Sequence, residues 1–276
     1  MAEHEIYCCQ VNNSWRCVVF FCSLLFLNAC ATPTRQNEKY AAAHGFKQLD
    51  VQGTDFSHTV FLNRKTKGKI WHVYIEGDGK PWIDQRFVAQ DPTTLKPLML
   101  RLMTQDQAPA IYLGRPCYHG KNKSEHCNPL HWTHERYSEQ IVSSMAAALK
   151  KLIAIHHIQK LILIGHSGGG TLAMLLAEKI PETKILVTLA GNLDIVAWAD
   201  QHGYSRLQGS LNPAFRESLP TNILQYHYLG RRDQNIKTSM ITPVINKQEK
   251  AGLFLIDSYG HYCCWEEDWP DFLEKW

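Results

Sequence analysis

Apolar positions along this chain follow two periods that take turns. "HTVFLNR" (58–64) and "KIWHVYIEG" (69–77) are continuous runs of β-branched and aromatic residues ended by turn formers, which predicts strands. "DPTTLKPLMLRLMTQ" (91–105) switches to helical spacing, with Asp91 placed to cap it, so a helix is predicted there. After the short strand "PAIYLG", residues 136–155 put Ile141, Met145, Ala148, Leu149 and Leu152 on one helical face. There follow strand "KLILIG", helix "GGTLAMLLAEKI", strand "KILVTLAG", strand "NILQYHYLG", helix "PVINKQEKAG", strand "GLFLIDS" and a final helix "EEDWPDFLEKW". Strands this apolar are covered on both faces, as parallel strands under helices are. The alternation therefore predicts an α/β fold with a doubly wound, mostly parallel sheet. Asn192 to Thr221 breaks the rhythm as a small irregular insertion, expected at the strand carboxyl ends where such sheets bind ligands.

Composition adds bounds. With 276 residues, 45% of them hydrophobic, the chain can bury a full core, most simply as one large domain. A net charge of +3, with no basic stripe, argues against a nucleic-acid partner. No internal repeat is present.

The N-terminus reads differently. "CVVFFCSLLFLNAC" (Cys17 to Cys30) is too short to span a bilayer core of ~20 residues but fits a signal-peptide core of ~7–15. Its end, Leu27 to Cys30, resembles the lipobox of bacterial lipoproteins, in which the cysteine is acylated. The expected organisation is a signal peptide over 1–29, a polar tether over 30–45 and the domain over 46–276, with Cys30 holding the protein in a bacterial envelope membrane, facing the periplasm. An ordinary cleaved signal and an uncleaved anchor are the alternatives. The preceding "MAEHEIYCCQVNNSW" has two Glu and no Lys or Arg, which suits a signal poorly and suggests a translation start at Val11. Export would leave Cys117, Cys127, Cys263 and Cys264 with three pairings that sequence cannot decide among. A Cys117–Cys127 bridge would close a short loop, and the adjacent Cys263 and Cys264 are expected as two thiols.

Candidate chemistry centres on "GHSGG" (165–169), which matches G-x-S-x-G between a buried strand and an amphipathic helix, the setting of a nucleophile elbow. Glycines on either side clear space so that the Ser167 hydroxyl stands alone. A serine needs a base, and the base needs an orienting carboxylate. Of the histidines that follow, His227 lies within a strand and His202 in the irregular stretch, whereas His261 follows the last strand beside Gly260, so His261 is the expected base. Asp233, after "YLG", is the expected acid; Asp194 is the runner-up and Asp257 lies too close to His261. The oxyanion hole is assigned to the N–H groups of Gly168 and Asp78, with Gly79 as the alternative second donor, and Asp78 must then turn its carboxylate away. Trp82 and Trp132 are candidate pocket aromatics. His131 with His134, and His156 with His157, lack a third ligand at metal spacing, so no metal or other cofactor is expected.

With these residues in order, Phe46 to Trp276 resembles the α/β-hydrolase superfamily. "GRPCYHG", Cys127, "HWTHERYSEQIV" and "GHYCCW" look like a group of exported bacterial α/β-hydrolase-like lipoproteins of undefined substrate. The resemblance implies a sheet of about eight strands, a paired Cys127, and the roles given to Ser167, Asp233 and His261; Glu76-Gly77 stands where that superfamily has His-Gly. Together these readings point to a monomeric serine hydrolase acting on a small-molecule or lipid ester. A non-catalytic envelope scaffold, an acyltransferase and a peptidase remain open on the same fold.

Overall fold

The computed structural model describes residues 32–65 and 67–276, and Pro33–Trp276 pack as one unit. Its elements are helix α1 (Pro33–Ala43), β1 (Lys47–Gln52), β2 (Ser57–Leu62), β3 (Ile70–Ile75), β4 (Trp82–Ile83), β5 (Phe87–Val88), α2 (Leu98–Met103), β6 (Ala110–Leu113), α3 (Glu139–His156), β7 (Lys160–His166), α4 (Gly168–Ala177), β8 (Thr183–Leu189), α5 (Ile195–His202), β9 (Leu224–Gly230), α6 (Thr238–Asn246), β10 (Ala251–Ile256) and α7 (Trp269–Leu273). Eight strands form one sheet in the order β1-β2-β6-β3-β7-β8-β9-β10. The β1–β2 and β2–β6 pairs are antiparallel and the other five are parallel. The parallel part puts the carboxyl ends of β3, β7, β8, β9 and β10 along one side of the molecule.

The continuous apolar runs become the centre, as their composition requires. In β7 every residue after Lys160 is buried, and in α4 every residue is. Helix α3 lays Ile141, Met145, Leu149 and Leu152 on the sheet and is capped by the Ser138 side chain, which accepts from the Ile141 N–H.

Several expectations are corrected. Pro33–Ala43, assigned to the tether, is a helix with Asn37 and Ala41 buried, so the folded unit begins at Pro33 rather than at residue 46. Its polar residues are good helix formers and Pro33 opens it, a position where a missing N–H costs nothing. The helix expected from Asp91 is confined to Leu98–Met103, because Pro97 restrains the residue before it from helical geometry. Asp91 instead accepts from the Thr93 N–H and the Thr34 hydroxyl. Helix α6 starts at Thr238 and contains Pro243, which the sequence reading placed at its start; its buried Met240, Ile241, Val244 and Ile245 set the boundary. Strand β1 and the β4–β5 hairpin went unread because neither has an apolar period: only Val51 is buried in β1.

Cys117 and Cys127 are bonded, fixing one of the three open pairings. Cys263 and Cys264 are also bonded to each other, contrary to the expected pair of thiols; a positive φ of 82° at Cys264 turns the chain so that the adjacent sulfurs meet. The signal-like run, Cys30 and the questioned start at Val11 lie outside the described residues.

Candidate active site

Ser167 sits where β7 ends and α4 begins, with φ 53° and ψ −121°, a conformation L-residues disfavour. Close packing forces it. A Cβ on Gly165 would stand 2.2 Å from the Gly169 carbonyl oxygen, and one on Gly169 would stand 2.1 Å from that of Ile75. Backbone bonds pin the corner, from the Ser167 N–H to the Leu189 carbonyl at 3.0 Å and from the Asn192 N–H to the Ser167 carbonyl at 3.0 Å.

The loops after β7, β9 and β10 bring the expected residues together. The Ser167 Oγ is 3.0 Å from His261 Nε2, and His261 Nδ1 is 2.8 Å from Asp233 Oδ2. Burial of the Asp233 carboxyl would raise its pKa, but the His261 ring and the N–H groups of Ile236 and Asn235 more than offset this and hold it below the usual range. Asp233 is thus an anion aimed at Nδ1, which leaves the Nε2 lone pair facing the serine.

The other candidates have other duties. Asp194 caps α5 through the N–H groups of Val196 and Ala197, Asp257 pairs with Arg231 at the surface, His227 is buried against Thr188, and His202 donates to the Asn235 carbonyl. Trp82 lines the cavity over Ser167, but Trp132 is buried and donates to the Ala89 carbonyl, so it belongs to the core.

Asp78 has an environment the sequence did not foretell. Its carboxylate accepts from Arg115 Nη1 at 2.6 Å, Arg136 Nη1 at 2.9 Å and the Tyr137 hydroxyl, and its backbone carbonyl accepts from the Tyr118 hydroxyl at 2.8 Å. Burial opposes its charge, but the two guanidinium groups and Tyr137 win and keep it far below the ordinary carboxylate range. The carboxylate is thereby occupied and lies against the corner, since a Cβ on Gly168 would stand 2.1 Å from Asp78 Oδ1. Gly168 opens α4, so its N–H has no partner within the helix. Gly79, at φ 66°, approaches the Pro92 carbonyl too closely for any side chain.

Three further residues escaped sequence reading. His166 donates from Nε2 to the His261 carbonyl at 2.8 Å, and Trp265 donates to the same oxygen, so the loop that carries the imidazole is held twice. Burial, with His261 adding to it, pushes the His166 ring down to about 3, so it stays neutral. Asn235 places its amide nitrogen 3.1 Å from His261 Nε2, and its oxygen accepts from Trp198 Nε1, joining a cavity wall to the imidazole. The His166 and Asn235 contacts to His261 have no sequence signature, since they span 95 and 26 residues.

Glu76, just before the Asp78 loop, is buried, and burial pushes its pKa up to about 8 against the opposing N–H groups of Met99, Gly77 and Leu100 and the Arg115 charge. Below pH 4.5 folded and unfolded chains both hold that proton; between there and about 8 only the folded chain does. Its contribution to stability therefore weakens as pH rises and is gone above about 8. Glu76→Gln is expected to flatten this decline, which urea unfolding across the same range measures; an unchanged pH slope would show that Glu76 ionises normally.

The cavity over Ser167 has a volume of about 530 Å³ and is walled by Asp78, Trp82, His134, Arg136, Trp198 and Tyr204, among others. The insertion after β8 supplies Asn192, Trp198 and Tyr204, as its expected place at the strand ends implied. Among the described residues no group of His, Cys, Asp or Glu is arranged to hold a metal ion.

No family model matches the chain, and no curated protein matches it in sequence. Solved structures do match it in shape. An esterase of Pyrococcus furiosus superposes with a TM-score of 0.59 at 12% identity, over 84% of this chain and 90% of that one. A membrane phospholipase A described as a bacterial virulence factor gives 0.59 at 14% identity, over 94% and 97%. A serine hydrolase without a lid from Xanthomonas campestris gives 0.53 at 10% identity, over 84% and 94%. The fold is that of the α/β hydrolases, and these structural neighbours are hydrolases.

Proposed function

We propose that the chain is a serine hydrolase that cleaves carboxylic esters through an acyl-enzyme. The observation that carries this is the continuous hydrogen-bonded line from Asp233 through His261 to Ser167 Oγ, at 2.8 and 3.0 Å, opening into the cavity. Ser167 Oγ attacks the ester carbonyl as its proton passes to His261 Nε2. Asp233 steadies the resulting imidazolium through Nδ1–H and keeps the ring in the tautomer that can accept again. The negative oxygen of the tetrahedral intermediate takes hydrogen bonds from the Gly168 and Asp78 N–H groups, each donor being worth roughly 10²–10³ in rate. Collapse breaks the ester C–O bond, and His261 returns its proton to the leaving alcohol. Water then repeats the sequence on the acyl-Ser167 and releases the acid.

Similarity in fold to an esterase and a phospholipase supports an ester over an amide substrate, and the mixed aromatic and cationic wall suits an amphiphilic one. A monomer acting at a membrane, lipid-anchored at Cys30 and facing the periplasm, completes the reading; the apolar run ahead of Cys30 supports it. The test is a fluorophosphonate probe, which reacts only with an activated serine. The expected result is one adduct, mapped to the peptide holding Ser167 and prevented by a short-chain ester. An unlabelled folded protein would remove the proposal.

A further inference from the structure

Among the described residues, nothing covers the outer face of the β4–β5 hairpin. Trp82 pairs with Val88 and Ile83 with Phe87, and Trp82 and Gln85 line the cavity over Ser167. Strand side chains alternate between faces, so Ile83 and Phe87 share the face opposite Trp82. They are 41% and 68% exposed, and Val88 is 37% exposed. A hairpin of two-residue strands gains nothing from such residues in water, and a patch of this kind at a cavity mouth marks a surface that something covers. Tyr204 and Tyr262, 44% and 61% exposed, stand on the same cavity as Trp82.

Two observations identify the occupant. First, cations accompany the apolar tip: Lys80 leads into the hairpin and Arg86 sits beside Phe87, both exposed, with Asp84 the one acid among residues 80–88. Apolar and aromatic side chains with basic neighbours suit the headgroup region of a bilayer with anionic lipid. Second, helix α1 is tied to the loop at the hairpin's base. The Thr34 hydroxyl donates to Asp91 and the Asn37 amide to the Thr94 carbonyl, three and six residues past Val88. The Lys80 N–H bonds the Pro92 carbonyl, tying that loop to the hairpin's base. Thr34, four positions after Cys30 in the sequence, is thereby held beside the hairpin's base.

We infer that the β4–β5 hairpin docks on an anionic lipid surface through Ile83 and Phe87, so that the cavity over Ser167 opens toward the membrane and takes its ester from lipid. The substrate half of this rests on the ester-hydrolase reading; the docking half stands without it.

The test is hydrogen exchange on the full chain with and without vesicles of mixed phosphatidylcholine and phosphatidylglycerol. Backbone amides of 82–88 are expected to slow by about tenfold on vesicles, while those around the exposed Ile155 on α3 keep their rates. Equal exchange at 82–88 in both samples overturns the inference. So does a hairpin already protected without lipid, which would mean that a second copy or the run Cys17–Leu27 covers it. In a second arm, the double variant Ile83→Ser and Phe87→Ser is expected to turn over phospholipid in vesicles about tenfold more slowly, with a dissolved short ester hydrolysed within about twofold of the parent. Equal losses on both esters would overturn docking as the route to substrate. A parent that hydrolyses neither ester sinks the ester-hydrolase reading, and exchange at 82–88 still decides docking.

Discussion

Ser167→Ala is expected to lower kcat for a dissolved nitrophenyl ester by about 10⁴- to 10⁶-fold, with little change in KM. The size of the effect follows from what remains. His261 Nε2 keeps the Asn235 amide as a neighbour, but an amide N–H is no nucleophile, so only water activated in an unoptimised place could attack. The residual rate would come from oxyanion stabilisation and binding, which this substitution leaves in place. Folding should suffer little, because the new methyl sits on a backbone already held by the Leu189 and Asn192 contacts. Release of nitrophenolate, together with thermal melting to show that the variant is folded, measures both halves. Activity within tenfold of the parent would mean that another group does the chemistry.

Asp78→Ala is expected to cost about 3–5 kcal/mol of stability, lowering Tm by roughly 10 °C for a domain of this size. Arg115 and Arg136 are only 2% and 5% exposed, and Asp78 is the carboxylate that both bond among the described residues. A guanidinium cannot shed its proton to escape burial. Removing the anion therefore leaves two cations facing each other in a poorly solvated place, whereas Asp78→Asn keeps hydrogen-bond acceptance and should lose less. Urea unfolding followed by tryptophan fluorescence gives the values. A loss below about 1 kcal/mol would show that water reaches the two arginines. Turnover measured well below the melting range should also fall in both variants, because this side chain lies against Gly168, whose N–H is proposed to bind the oxyanion.

Much of the site was legible before any coordinates. Ser167 stands out because a strained strand-to-helix corner demands small neighbours, and those neighbours are adjacent in the chain. Asp233 and His261 were found by order and by their position just after strands, both local properties. The Asp78 cluster was not legible: Arg115, Tyr118, Arg136 and Tyr137 come from the long connection between β6 and α3, far along the chain from Asp78, and a buried arginine looks like any other arginine in a sequence. Asn235 and His166 escaped for the same reason, and the bonded Cys263–Cys264 depends on a backbone turn that two neighbouring cysteines do not encode.

By itself, then, the sequence determined the period of each central element, the strand–helix alternation and the corner at Ser167, because burial on both faces and steric exclusion act within a few residues. It misplaced the ends of α2 and α6 and overlooked α1, α5, β1 and the β4–β5 hairpin, segments held in place by contacts from elsewhere in the fold. The tertiary structure alone decided that the loops of β7, β9 and β10 meet, that two arginines close on Asp78, and that an apolar hairpin stands at the cavity mouth. Those are facts of strand order and packing, set by the burial of the whole sheet, and no window along the chain contains them.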